Sequence, residues 1–172
     1  YSMGARLALA LAIRHPQRVS SLMLIGVDPG IVDDAERQAR IQWEDRWVRL
    51  LLEKGLPSFV SEWEKLPLFA SQNRLSQTSQ LQQRLSRLQH RPDAILWALR
   101  TLGTGRMPNL WPHVPSLQMP ISLVTGEVDE KFSTIAQKLT SIHPFIEHHV
   151  ISGSGHNPIL EAPAQMLAVF SS

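Results

Sequence analysis

The sequence contains no cysteine among its 172 residues. This absence excludes a disulfide framework, a thiolate nucleophile and a zinc site built on cysteine sulfur. It also fits a reducing compartment. We therefore expect the protein in the cytoplasm.

Long hydrophobic runs are absent as well. The longest apolar run, residues 7–13, is far shorter than the ~20 residues that cross a bilayer. It also lacks the flanking residues of a secretory signal. We expect no membrane partner.

The sequence has no large excess of positive or negative charge, since its formal net charge is only +2. The arginines are scattered through amphipathic segments and form no basic tract. Nucleic-acid binding proteins usually concentrate positive charge on one face. We therefore expect no nucleic-acid partner, and favour a small anionic molecule as the ligand.

Three regions differ in their patterning. Residues 1–32 contain a small-residue helix over 3–15 and a buried strand over 19–27. Residues 33–112 show apolar residues three and four positions apart with charges between them, which predicts a helical cap insertion. Residues 113–172 return to apolar strands that alternate with helices. We expect an α/β fold in which 1–32 and 113–172 form a core with a parallel sheet flanked by helices.

The last region carries four predicted elements. The segment "ISLVTGEVDEKF" begins with a strand and continues into an acidic loop that contains a glycine. Apolar spacing then predicts a helix over 134–142, a strand over 147–151 and a closing helix over 160–170.

Ser2 stands directly before the small-residue helix, in the stretch "YSMG". This stretch matches the nucleophile elbow Gly-x-Ser-x-Gly without its first glycine. Small residues let such a strand-to-helix turn close sharply and leave the serine hydroxyl exposed at the helix N-terminus. The match is weak alone, because serine is also a favoured helix N-cap. The order of later residues decides between the two interpretations.

An acid and a histidine follow Ser2 in the chain order of the α/β-hydrolase fold. The segment "LVTGEVDEKF" places Asp129 after a strand and a glycine, with Glu127 and Glu130 as competing acids. The segment "VISGSGHNPILEAP" places His156 in a loop before the last helix. A carboxylate can fix the imidazole tautomer, and the imidazole can then take the serine proton. We predict Ser2, Asp129 and His156 as a catalytic triad.

Each partner of the serine also has an ordinary alternative. Taken alone, Asp129 could be a loop acid or a helix cap, and His156 could be an exposed loop residue. Exposed loop positions are what we expect for His143, His148 and His149.

The resemblance to the α/β-hydrolase fold predicts that this chain is the C-terminal part of a longer protein. That fold has about five strands before the elbow, and one of them leads to a loop that donates an oxyanion N–H. We expect the 172 residues alone to be poorly folded and inactive. The backbone N–H of Met3, on the residue after the serine, is predicted as one oxyanion donor.

Three motifs resemble a particular family within this fold. They are "YSMGARLALALA", "LGTGRMPNLW" and "GEVDEKF", and they are similar to those of MenH, the 2-succinyl-6-hydroxy-2,4-cyclohexadiene-1-carboxylate synthases of menaquinone and phylloquinone biosynthesis. The resemblance runs through nearly the whole chain. Two mild departures are Ala5, where glycine is commoner, and His90, where asparagine is expected.

Arg6 lies one helical turn after Ser2, on the same helix face. A cation there opposes the positive end of the helix dipole, so it needs compensation. An anionic substrate at Ser2 would supply it, and the resemblance implies a substrate with two or three carboxylates. An ion pair with an acid in the core is the alternative.

The resemblance implies further substrate-binding residues. By position in the motifs these are Arg40, Trp63 and Arg87, and Tyr1 beside the serine also faces substrate. The ordinary alternatives are a solvated helix face for the arginines and core packing for the tryptophan. Neighbouring arginines leave the register of the cap arginines open: Arg37, Arg46, Arg84 and Arg91.

The implied reaction is a lyase step that removes pyruvate from 2-succinyl-5-enolpyruvyl-6-hydroxy-3-cyclohexene-1-carboxylate. Ser2 would act as a base on a ring C–H, and no metal or organic cofactor is required. The alternative is a serine esterase or C–C hydrolase that uses the same triad in covalent catalysis. A third hypothesis is a non-catalytic binding protein of the same fold, and the intact triad residues argue against it.

Overall fold

The computed structural model describes residues 1–170; Ser171 and Ser172, the end of the predicted core segment 113–172, lie outside the described residues. The helices are α1 (Met3–Arg14), α2 (Asp34–Trp63), α3 (Gln77–Leu88), α4 (Pro92–Thr101), α5 (Glu130–Ile142), α6 (Pro158–Glu161) and α7 (Pro163–Phe170). The strands are β1 (Leu22–Ile25), β2 (Ile121–Gly126) and β3 (Ile146–Ile151). Short 3-10 helices cover Pro16–Arg18, Pro67–Arg74 and Trp111–Ser116. None of the helices within 1–170 is long and apolar enough to cross a membrane.

The chain forms two compact units. One combines Tyr1–Pro29 with the chain from Leu110 onward, and the other is Gly30–Asn109. The sequence-based boundaries at 32/33 and 112/113 lie three residues later. We call the first the sheet unit and the second the helical unit.

The sheet unit is built on three parallel strands in the order β1-β2-β3. Strand β2 is central, with Ile121 opposite Leu22 on one side and Ile146 on the other. Its strongly apolar sequence fits a strand that is covered on both faces. This architecture confirms the predicted α/β fold with a parallel sheet flanked by helices.

Alternate residues of the strands point to opposite faces of this sheet. Leu24 and Leu123 pack with α1 and α5 in the larger core cluster. Ile25 and Val124 pack with Met166 of α7 in a smaller cluster. The sheet is therefore covered by α1 and α5 on one face and by α7 on the other.

One predicted strand and two predicted helices have different bounds in the structure. The strand predicted over 19–27 is shorter, since β1 is Leu22–Ile25. Helix α5 begins at Glu130, four residues before the predicted start. The single helix predicted over 160–170 is wrong, because α6 ends before Ala162 and α7 begins at Pro163. Ala162 has the non-helical φ of −144°, as expected for a residue before proline.

The expectation of exposed loop histidines is also wrong. His143 is buried, with its Nε2 2.8 Å from the Leu117 carbonyl and its Nδ1 accepting the Phe145 N–H at 3.2 Å. His148 lies on β3, half-buried, with its Nε2 2.7 Å from the Thr125 hydroxyl. His149, also half-buried, is on the same strand. Leu117 and Thr125 lie far from these histidines in sequence, so local patterning could not reveal those two contacts.

The helical unit has its own core. Helix α2 is broken at Gly55, whose φ of 73° is in the region that favours glycine, and Pro57 follows within the next turn. Around the break, Phe59 stacks on Trp63 with ring centroids 5.4 Å apart, and Trp47 packs edge-on against both rings. These aromatic rings pack with aliphatic residues of α2, α3 and α4 in one hydrophobic cluster.

Candidate active site

Ser2 lies in a strained turn at the edge of the sheet. Its φ of 49° is the only positive φ of a non-glycine residue within 1–170. The Ser2 N–H donates to the Ile25 carbonyl at 2.8 Å, which ties the turn to the end of β1, and α1 begins at the next residue. Backbone strain of this kind costs about 1–3 kcal/mol and is concentrated at functional sites. The turn therefore has the geometry of a nucleophile elbow.

The three residues predicted as a triad form one hydrogen-bonded chain. His156 Nε2 lies 3.1 Å from Ser2 Oγ, and His156 Nδ1 lies 2.7 Å from Asp129 Oδ2. His156 and Asp129 are 2% and 7% exposed. The carboxylate can accept the Nδ1–H, which leaves Nε2 free to accept the serine proton. The arrangement can convert the Ser2 hydroxyl into a base or a nucleophile.

The competing acids have other roles. Glu127 accepts hydrogen bonds from the Gly153 N–H at 2.7 Å and from the Ser152 hydroxyl at 3.0 Å. These two donors lower the pKa of Glu127. Glu127 thus ties the acid loop (residues 127–129) to the histidine loop (residues 152–157). Glu130 is the exposed first residue of α5.

The histidine loop is fixed from both sides of His156. The Glu161 carboxylate accepts the Gly155 N–H at 2.8 Å and the Asn157 N–H at 3.1 Å. A Cβ on Gly126, at the end of β2, would overlap the Gly155 carbonyl oxygen. The two loops therefore meet at backbone contact, and this keeps the imidazole next to its acid.

Two aromatic rings contact the imidazole. The ring of Phe132 lies 4.3 Å from that of His156, centroid to centroid, and the ring of Tyr1 lies 5.3 Å away. Phe132 is buried and follows Lys131, whose ammonium group lies 3.1 Å from the Asp28 carboxylate. The Lys-Phe pair of the "GEVDEKF" motif thus has a structural reason.

Gly26 gives the imidazole its room. It has a φ of 58°, and a Cβ built on it would lie 2.7 Å from His156 Cε1. Gly26→Ala should therefore displace the ring and lower kcat about 100-fold, because a shift of about 1 Å at a catalytic group costs that much. Steady-state kinetics on the whole protein measures this.

Gly153→Ala is the matched control. Gly153 has a φ of 69°, and nothing lies within 4 Å of a Cβ placed there. Both variants carry the same backbone strain, but only Gly26→Ala pushes on His156. Equal activity in the two variants would show that the imidazole tolerates the methyl group.

The remaining predicted residues of the sheet unit lie close to Ser2. Met3 is the first residue of α1, so its N–H has no acceptor within the helix and lies at the positive end of the helix dipole. Arg6 is 9% exposed, and its N–H donates to the Ser2 carbonyl at 3.1 Å. Within 1–170, no three His, Asp or Glu side chains are grouped as metal ligands would be.

The predicted cap residues belong to the helical unit. Arg40 pairs through its Nε with Glu44 at 2.8 Å, and its guanidinium lies 4.3 Å from the Trp43 ring centroid. Arg87 donates to Glu64 at 2.9 Å. Trp63 belongs to the aromatic core of this unit. The substrate-binding roles of Arg40, Trp63 and Arg87 stay predictions.

Three residues of the site were missed by sequence reasoning. They are Gly26, Phe132 and Glu161. A signal existed for two of them, since Phe132 stands in a motif with the acid and Glu161 is the acid nearest in sequence to His156. Gly26 ends the segment "SSLMLIG", and a glycine after a strand is equally typical of an ordinary turn.

Comparison with curated proteins finds 2-succinyl-6-hydroxy-2,4-cyclohexadiene-1-carboxylate synthases. The chain is 31% identical over 168 residues to the synthase of Enterobacter sp. (strain 638), covering 98% of the chain and 62% of that protein. It is 37% identical over 163 residues to a Bacillus subtilis (strain 168) protein whose name assigns it provisionally to the same activity. That match covers 95% of the chain and 60% of the relative. The chain thus spans about three-fifths of the length of these relatives.

Solved structures give the same result. The structure of MenH from S. aureus superposes with a TM-score of 0.96 at 38% identity, covering 99% of the chain and 64% of MenH. A thermophilic esterase from Thermogutta terrifontis, at 23% identity and a TM-score of 0.78, shares the fold. The alpha/beta hydrolase fold family model matches residues 1–163. The chain therefore belongs to the α/β-hydrolase fold family, within which it is similar in sequence and structure to the MenH-type synthases.

Proposed function

We propose that the whole protein is a 2-succinyl-6-hydroxy-2,4-cyclohexadiene-1-carboxylate synthase. It is a lyase that eliminates pyruvate from 2-succinyl-5-enolpyruvyl-6-hydroxy-3-cyclohexene-1-carboxylate. The observation that carries the proposal is the chain of hydrogen bonds from Ser2 through His156 to Asp129, in a chain similar to synthases of that name. We place the enzyme in the cytoplasm, as the cysteine-free sequence favours.

Ser2 acts as the base in this mechanism. His156 takes the serine proton, and the Ser2 oxygen then takes a proton from a ring carbon. The electrons of that C–H bond form a new ring double bond, the existing ring double bond moves by one position, and the C–O bond to the enolpyruvyl group breaks. The departing group is the enolate of pyruvate, which becomes pyruvate by gaining a proton on its methylene carbon, and no acyl group is transferred to the protein.

Charge that develops in this reaction requires stabilisation. The N–H of Met3, at the positive end of α1, is placed to donate to a developing enolate oxygen. Arg6 lies one turn further along α1 and supplies a positive charge for the substrate carboxylates. The partner we propose is accordingly a small polycarboxylate.

A serine esterase or C–C hydrolase is the second candidate, because the same triad geometry serves covalent catalysis. The two candidates differ in what happens at Ser2. The test supplies the enolpyruvyl cyclohexene substrate and a neutral aryl ester side by side, with rapid quenching and mass analysis of the protein. We expect pyruvate release without a burst, no added mass on Ser2 and ester cleavage slower by orders of magnitude. Efficient ester turnover with a covalent Ser2 adduct and no pyruvate would overturn the proposal.

Arg6→Ala should raise KM and lower kcat for the polycarboxylate substrate. Hydrogen bonds to charged groups contribute about 1.5–3 kcal/mol, so kcat/KM should fall about 10- to 100-fold. Turnover of a neutral ester should change much less. Arg14→Ala, at the exposed end of the same helix, serves as the control. Equal losses on both substrates would show that Arg6 is structural.

A further inference from the structure

We propose that Glu44 is a positioning residue for Arg40, and that it fixes the guanidinium so that its two terminal amino groups face a substrate carboxylate. The inference rests on the proposed function, since it concerns how the polycarboxylate substrate is bound. It names a residue, Glu44, that the motifs did not single out.

Glu44 is a carboxylate in the interior of the helical unit, with only 1% of its surface exposed. Its Oε1 accepts the Arg40 Nε–H at 2.8 Å and the Gly105 N–H at 3.3 Å. Its Oε2 accepts from Arg106 Nη1 at 3.4 Å. Buried carboxylates are rare unless paired, and these three donors supply the pairing for this one.

The "GTGR" run is built around this carboxylate. A Cβ on Gly103 would overlap Glu44 Oε2, and one on Gly105 would lie 2.8 Å from Ile41 Cγ1, on the turn of α2 before Glu44. Arg106, the last residue of the run, also donates to Asp45 at 2.6 Å. The two glycines and the arginine therefore enclose the Glu44 carboxylate on α2, one helical turn after Arg40.

Arg40 is held in one orientation by two contacts. Its Nε is bonded to Glu44, and its guanidinium lies 4.3 Å from the Trp43 ring centroid. Among residues 1–170, Nε is the only atom of this guanidinium with a hydrogen-bond partner. Its side chain is 33% exposed. The edge with the two terminal amino groups is thus free, and that edge matches a carboxylate with two parallel hydrogen bonds.

Net charge and orientation make opposite predictions for Glu44→Gln. Two arginines and two acids form this cluster, so the substitution makes it more positive. If only charge attracted the substrate, KM would fall. If Glu44 orients Arg40, the substitution lets the Arg40 guanidinium turn away from the substrate carboxylate, and KM rises.

We expect Glu44→Gln in the whole protein to raise KM for the enolpyruvyl cyclohexene substrate about tenfold, with kcat within about twofold, since only binding shared by ground and transition states is lost. Asp45→Asn is the matched control, because it changes the cluster charge equally without touching Arg40. Its KM should stay at the wild-type value. In the Arg40→Ala background, Glu44→Gln should raise KM no further.

Arg40→Lys tests the same geometry on a partly exposed side chain, so folding is retained even where Glu44→Gln fails to fold. Lysine keeps the positive charge but lacks the guanidinium edge with two terminal amino groups, so KM should rise about tenfold. An unchanged or lowered KM in Glu44→Gln, or a wild-type KM in Arg40→Lys, overturns the inference while pyruvate release continues. A wild-type protein that releases no pyruvate overturns the proposed function, and the inference falls with it.

Discussion

Ser2→Ala in the whole protein should lower kcat/KM at least about 1,000-fold while the melting temperature changes little. The hydroxyl lies 3.1 Å from His156 Nε2, so it is the group that we expect the imidazole to activate. Loss of a general base costs up to about 10⁴-fold. Alanine has the same difficulty as serine at a φ of 49°, so the fold gains and loses almost nothing. Pyruvate release and a thermal melt measure the two quantities.

Ser21→Ala is the control for this experiment. Ser21 is an exposed serine just before β1, and its removal should leave both quantities unchanged. A Ser2→Ala variant with more than about a tenth of wild-type turnover would exclude Ser2 as the base.

Asp129→Asn should lower kcat about 10⁴-fold, the loss known for the corresponding change in the serine protease triad. The carboxylate accepts from His156 Nδ1 at 2.7 Å in a buried site. An amide can instead donate to Nδ1, which favours the imidazole tautomer whose Nε2 carries the proton and cannot accept from Ser2. KM should change much less, because Asp129 acts on the imidazole and is not proposed to bind the substrate.

The neighbouring acid supplies the control for Asp129→Asn. Glu130→Gln alters an exposed side chain in the first turn of α5 and should keep near-wild-type kcat. If Glu130→Gln loses as much activity as Asp129→Asn, the assignment of the acid is wrong.

Motif order was sufficient to predict which three residues form one hydrogen-bonded chain. Ser2, Asp129 and His156 each stand in a short local pattern, and the fold imposes their order along the chain. The structure brings all three into hydrogen-bond distance. Alternating strands and helices likewise indicated the parallel sheet, because burial on both faces produces the apolar strands β1 and β2.

Contacts between distant segments could not be read from local patterns. Gly26 is adjacent to His156 only after β1 and the histidine loop have come together. Nothing near His143 in the sequence indicates that its ring meets the Leu117 carbonyl. The break before α7 was missed for a different reason: apolar spacing continues through Ala162 and Pro163, and the proline should have outweighed it.

In the helical unit, the sequence indicated helices but not the partners of their arginines. The pairing of Arg40 with Glu44 is a spacing of four residues, which on a helix surface is common and contributes little. Burial of Glu44 gives the pair its significance. That burial depends on Gly103 and Gly105, which lie about 60 residues away in sequence.

The positive φ of Ser2 places a trade-off between stability and function in the turn just before α1. Glycine at this position would relieve strain of about 1 kcal/mol, yet it would remove the hydroxyl that the imidazole is proposed to activate. Selection for heat resistance can therefore change most exposed positions of the protein. At residue 2, however, a gain in stability comes with loss of the serine hydroxyl. A homologue with glycine there would be recognisable as a protein that has given up the chemistry while keeping the fold.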